Sequence, residues 1–120
     1  MAKFFHYKGT VYGGAIRREK SGNAIYKVTS FFLQRGGNLS DTEITLWGYQ
    51  VPIANGQEVA VVYGKANNKD SGPPLFYYNY NLRKGIKFTD NIKKLNRQES
   101  GWLSYDTHVD RELDAYLKNI

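Results

Sequence analysis

The sequence predicts a mainly β protein: a small antiparallel barrel of five or six strands, SH3-like or OB-like, with a C-terminal helix. Three observations lead there. The apolar set is weighted toward aromatic and β-branched side chains, with ten tyrosines and six phenylalanines against one methionine, and such side chains fit a pleated, half-buried surface. Runs of strand-like residues recur along the chain, each bounded by Gly, Asn or Pro. Only near the C-terminus does the apolar spacing become helical. A barrel would remove exposed sheet edges; a more open α+β sheet is the alternative.

The elements follow in order. Residues 4–12 form the first strand, stopped by Gly13-Gly14, and Ser21-Gly22-Asn23 is a turn. Residues 24–34 form the longest strand. Ile25, Phe31 and Leu33 share one side and Tyr26, Val28 and Phe32 the other, so neither side is purely polar and both are covered for part of their length. Residues 43–51 and 57–63 read as a hairpin around Asn55-Gly56, because Asn-Gly supplies the positive φ values of a tight hairpin turn. A polar loop over 64–72 leads to Pro73-Pro74, which restarts an extended chain. A strand over 76–81, a turn over 83–85 and a short strand over 86–89 complete the sheet.

Residues 90–104 read as a basic, irregular segment held to the body by Trp102 and Leu103. Val109, Leu113, Tyr116, Leu117 and Ile120 then form one apolar stripe of a helix over about 107–119. Asp106 or Thr107 can cap that helix, and Thr107 with Asp110 approximates a capping box. The whole is expected to be a single domain over 1–120, with its β-body over 1–89.

Composition narrows the function classes. Hydrophobic residues make up 41% and charged residues 23% of the 120, which predicts a folded chain with a modest core. There is no cysteine, so disulfides, thiol catalysis and Cys-ligated zinc are excluded. No apolar run is long enough for a signal peptide or a membrane span, and the expectation is a cytoplasmic protein. The paired glycines lack the spacing of a phosphate-binding loop. No cofactor or metal site is expected. His6 and His108 lie near opposite ends of the chain; a small nuclease or toxin-like enzyme using them is the third reading in rank.

The one constellation with binding chemistry is the segment 75–88. It places Phe76, Tyr77, Tyr78 and Tyr80 in five positions and follows them with Arg83, Lys84 and Lys87. Strand alternation sends Tyr77 one way and Phe76, Tyr78 and Tyr80 the other, which is more aromatic surface than one side of a small core requires. The net charge is +6, and residues 83–97 hold six basic residues against Asp90 alone. Such a patch attracts acidic surfaces or polyanions. The expected site is therefore Tyr77, Tyr78, Tyr80, Arg83, Lys84 and Lys87, with Arg17, Arg18, Lys93 and Lys94 as further basic contacts, and with Tyr26, Tyr49 and Trp47 extending the aromatic platform.

Residues 42–88 carry a pattern: Thr42-Glu-Ile-Thr-Leu-Trp47, then Val51-Pro-Ile-Ala-Asn-Gly-Gln-Glu-Val-Ala-Val-Val62, then Tyr78-Asn-Tyr-Asn81. The pattern resembles small β-domains of uncharacterised bacterial proteins, many of which attach the domain to membrane helices. This sequence lacks such a span. The resemblance implies a bacterial or phage origin and a non-enzymatic β-domain, and it transfers no functional residue. The expected function is a non-catalytic binding or accessory module contacting a protein partner, or a second copy through a sheet edge. A single-stranded nucleic-acid binder is the alternative.

Overall fold

The structure, a computed structural model, describes residues 2–67, 69–100 and 108–120. Among them the chain forms β1 (Lys3–Ser21), β2 (Ala24–Gln34), β3 (Thr42–Trp47), β4 (Glu58–Lys65), β5 (Pro74–Asn79), β6 (Lys84–Lys87), α1 (Thr89–Ser100) and α2 (His108–Leu117). The strands make one antiparallel sheet in the order β3-β2-β1-β4-β5-β6. The sheet is not closed into a barrel, and the open α+β alternative describes it. Closure would require the two edge strands, β3 and β6, to pair with each other at a consistent tilt and stagger. Here β6 has only four residues, and α1 begins at Thr89 directly after it.

The expected hairpin over 43–63 does not form. β3 and β4 stand on opposite sides of the β1–β2 pair, so the first four strands have the Greek-key order. Asn55-Gly56 does turn the chain: Gly56 has φ 90° and Gln57 N–H donates to Ala54 O at 3.2 Å. That turn joins β4 to a crossover over residues 48–57 instead of joining it to β3. A turn signal fixes a local reversal and leaves open which strands pair.

The chain divides into two compact units. One comprises the described parts of Met1–His6, Val62–Phe76 and Lys87–Ile120, the other Tyr7–Val61 and Tyr77–Ile86.

In the second unit β1 and β2 pair from Thr10↔Gln34 to Ser21↔Ala24, and β2 and β3 pair from Leu33↔Thr42 to Val28↔Trp47. Val11, Phe31, Leu33, Ile44 and Leu46 are buried, and this register puts them all on one side. Gly13-Gly14 does not end β1. The register shifts between Tyr12 and Ala15, with Gly13 at φ 62°, the signature of a β-bulge. Gly14 lies close under the crossover: a Cβ there would come 2.9 Å from Ile53 Cδ1, and its N–H donates to Asn55 Oδ1 at 3.2 Å. β1 then continues to Ser21 and makes a hairpin arm with the start of β2.

The crossover lies against the buried side of this unit and is fixed by buried polar side chains. Thr29 Oγ1 donates to Tyr49 O at 2.8 Å and accepts from Val51 N–H at 3.4 Å. Tyr77 O–H donates to Pro52 O at 2.6 Å. Asn79 Nδ2 donates to Gln57 Oε1 at 2.9 Å and to Pro52 O at 3.2 Å. Thr29, Tyr77 and Asn79 are all fully buried, so each of these bonds also removes the desolvation cost of a polar atom.

In the first unit Val62 and Leu75 from the strands cluster with Ile92 and Leu95 of α1 and Val109 and Leu113 of α2. Residues 89–100 are helical, where the sequence leads to an irregular segment. Phe88, Ile92 and Leu95 are buried at intervals of four and three, enough for one helical side, while Lys93, Lys94 and Arg97 are exposed. The α2 stripe packs on this cluster through four of its five members: Val109 and Leu113 are buried, Tyr116 and Leu117 pack partly against it, and Ile120 lies beyond the helix and exposed. Asn96 Oδ1 accepts Val109 N–H at 3.3 Å, satisfying one of the N-terminal amides of α2. The expected caps Asp106 and Thr107, and the anchors Trp102 and Leu103, lie outside the described residues.

Candidate functional site

The side of the second unit's sheet opposite its core is aromatic. β1 and β2 bring Tyr12 and Phe32 into register, and their rings stack at 5.4 Å. β3 places Trp47 opposite Val28 on this same side, and Trp47 is 52% exposed. Tyr26 alternates with Val28 and is also exposed. Tyr78 and Tyr80 meet edge to face at 4.9 Å, and Lys8 Nζ lies 4.5 Å from the Tyr80 ring centroid. Antiparallel sheets with one wet side normally put polar residues there; here several of the exposed positions are large aromatics.

The charges on this surface are locally matched. Lys8 pairs with Glu58 at 3.5 Å, and Arg17 with Glu19 at 2.7 Å. Tyr12 O–H donates to Asp41 Oδ2 at 2.5 Å, and this bond to a carboxylate, with a smaller contribution from burial, raises the Tyr12 pKa above its ordinary value. Arg17 also donates to Ser30 Oγ at 2.9 Å.

The residues expected from the sequence do not fall in one unit. Tyr77, Tyr78, Tyr80, Arg83 and Lys84 belong to the second; Lys87, Lys93 and Lys94 belong to the first. Tyr77 is not on the aromatic side: it is fully buried with its hydroxyl on the crossover. Tyr78 and Tyr80 are half-buried on the aromatic side, and Arg83 and Lys84 are exposed. Lys87 bridges Asp110 at 3.0 Å and Asp114 at 2.8 Å; the bonds to Asp114 and then Asp110 raise its pKa. It ties β6 to α2. Arg17 is engaged as above, while Arg18, Lys93 and Lys94 are exposed. Of the three suggested extensions, Trp47 and Tyr26 lie on the aromatic side, whereas Tyr49 offers its carbonyl to Thr29. Tyr12, Phe32 and Lys8 join this surface without belonging to the site expected from the sequence. The spacing of Lys8 and Tyr12 along one strand was available; the register that sets Phe32 beside Tyr12 was not.

Arg83 has φ 54°, a left-handed conformation that disfavours side chains branched at Cβ. Arg83→Val is expected to lower stability by about 1–2 kcal/mol, and Arg83→Gly to leave it level or raise it slightly. Thermal denaturation of both variants checks this; equal melting temperatures would mean that the turn relaxes freely.

In the first unit His6 Nδ1 meets Tyr116 O–H at 2.5 Å, and His108 is the first residue of α2. A cavity of about 150 Å³ is lined by Lys87, Thr89, Ile92, Lys93, Asn96 and Asp110. Three of its polar side chains already have structural duties, because Lys87 holds Asp110 and Asn96 caps α2. Among the described residues no group of three His, Asp or Glu side chains could hold a metal ion, and no helix is long and apolar enough to cross a membrane. Comparison with known protein families, with curated proteins and with solved structures finds nothing that matches this chain.

Proposed function

We propose that this chain is a non-catalytic binding module whose contact surface is the aromatic side of the second unit's sheet, and that its partner is a protein. The observation that carries the reading is the exposed aromatic run from Trp47 through Phe32 and Tyr12, interleaved with charges of both signs. Protein interfaces are enriched in aromatic residues within a polar rim. A polyanion is a poorer fit to this side, because Lys8 and Arg17 each have a carboxylate partner and Asp41 and Glu43 add further negative charge. A second copy of the chain is the first protein partner to test, since β3 is a sheet edge that ends in the exposed Trp47.

Single-stranded nucleic acid is the second reading. It is favoured by the Tyr78–Tyr80 pair together with exposed Arg83 in the turn that follows and exposed Lys84 at the start of β6. Light scattering and affinity capture from host extract, with wild type and a Trp47→Ser/Phe32→Ser variant, separate the two. Self-association or a captured protein that persists at high salt and is lost in the variant supports the protein reading. A monomer with no variant-sensitive partner refutes it. Binding of labelled single strands that falls steeply with salt and is lost in Tyr78→Ala/Lys84→Ala replaces it with the second reading.

A further inference from the structure

Beyond the last rung of β3, Val28↔Trp47, β1 and β2 continue as a two-stranded arm from Arg18↔Lys27 to Ser21↔Ala24. Every residue over 13–27 is exposed except Glu19, which is half-buried. A hairpin without a third strand or a packed side is marginal in water, so the arm gains little stability from burial at its end. Its two sides differ. Alternation places Arg17, Glu19 and Tyr26 on the side continuous with the aromatic surface, and Ile16, Arg18, Lys20, Ile25 and Lys27 on the other. That other side carries no carboxylate. Arg18 and Lys27 are direct cross-strand partners, a like-charge pairing that is unfavourable in isolation and becomes favourable when an anion lies between the two. Among the described residues the side chains of Arg18, Lys20 and Lys27 have no acidic partner. Ile25, next to the turn, is 69% exposed.

We infer that this arm binds duplex DNA by entering a groove, with Arg18, Lys20 and Lys27 on the phosphates and Ile25 against the groove floor. The major groove, about 12 Å wide, admits a two-stranded β-ribbon. Four residues at about 3.3 Å each give a reach of about 13 Å, close to the width of that groove, so the arm can set its cations against the phosphate walls. Isoleucine flanked by cations is also the composition of side chains that wedge against base steps. The contacts are to phosphate and shape, so binding is weakly sequence-specific. An anionic lipid surface fits less well, because two isolated isoleucines on a narrow ribbon supply little area for insertion. This surface is separate from the aromatic contact side, and its test does not depend on that reading.

The test is anisotropy of a labelled duplex against the whole chain at about 50 and 200 mM salt, where three phosphate contacts predict a loss of roughly 40-fold in affinity. Arg18→Ser/Lys27→Ser is expected to weaken binding more than tenfold at the lower salt and to flatten the salt dependence to about one contact. Lys93→Ser/Lys94→Ser removes the same charge from the other unit and is expected to keep wild-type binding. The arm is solvent-exposed, and circular dichroism verifies that each variant is folded. Four results would each overturn the inference: no duplex binding by wild type, an equal loss in both double variants, arm-dependent binding of single strands as tight as of duplex, or arm-dependent binding only to phosphatidylserine-containing vesicles.

Discussion

Tyr77→Ala is expected to lower stability by about 3–5 kcal/mol, the range for deleting a buried aromatic ring, with additional loss from Pro52 O, which keeps only the longer bond from Asn79. Tyr77 packs edge to face on Phe31 with ring centroids 6.4 Å apart and holds the crossover through its hydroxyl. Whole domains are stable by only about 5–15 kcal/mol, so the alanine variant risks unfolding outright. Tyr77→Phe gives the graded version: the ring stays, the hydroxyl's bond to Pro52 O and the weaker one from Asn79 Nδ2 go, and the cost is about 1–2 kcal/mol. The same residue gives a pH signature. Burial raises the Tyr77 pKa above 10.0, more than the hydrogen bond from Asn79 lowers it. A folded-state pKa above the unfolded value means that the stabilisation is complete below the unfolded pKa and is lost as pH rises past it toward the folded one. Urea denaturation between neutral pH and the alkaline side of 10.0 is therefore expected to show a fall that is smaller in Tyr77→Phe. Unchanged stability of Tyr77→Phe at neutral pH would mean that the hydroxyl does not hold the crossover.

How far the sequence could be read is visible in that residue. Alternation correctly opposed Tyr77 to Tyr78 and Tyr80, because period two is a local property of a strand. It could not say which side faces the core, and the hydroxyl made Tyr77 look like a contact residue when its partner was a carbonyl 25 positions away. The apolar stripe of α2 was legible for the same reason of local periodicity. Two glycine signals misled. Gly13-Gly14 has the composition of a strand end, yet it is a bulge under Ile53, with Gly13 at positive φ, and neither the bulge nor its contact with the distant crossover is a local property. Asn55-Gly56 has the composition of a hairpin, yet β4 pairs with β1. α1 was missed because only Ile92 and Leu95 mark its buried side within a run of polar residues; adding Phe88 from just before the helix completes the spacing. The aromatic surface was half legible. Its strand-local members Tyr78 and Tyr80 were found, while the pairing of Tyr12 with Phe32 depends on the register past the bulge.

Gly72→Ala is expected to be the most damaging substitution in the first unit, at about 3 kcal/mol or more. A Cβ on Gly72 would fall 1.8 Å from Gly64 O and 2.7 Å from both Gly64 C and Lys65 Cα. Those are backbone atoms of β4, so no rotamer change relieves the overlap; the two chain segments must separate. Separation breaks the bond from Gly64 N–H to Pro73 O at 3.2 Å and draws Leu75, only three residues further on, away from Leu95 and Leu113. Gly64→Ala is the informative comparison. Its Cβ would meet Leu75 Cδ1 at 2.6 Å and Leu95 Cδ2 at 2.9 Å, the ends of flexible side chains that can move aside at the usual overpacking cost of about 1–3 kcal/mol. The order Gly72→Ala worse than Gly64→Ala distinguishes a backbone obstruction from a crowded core. Urea denaturation gives the order, and amide exchange at Gly64 shows whether the β4 contact opens. If Gly72→Ala folds with wild-type stability and a protected Gly64 amide, the close passage of residue 72 over β4 is wrong, and with it the path that carries Pro73-Pro74 into β5.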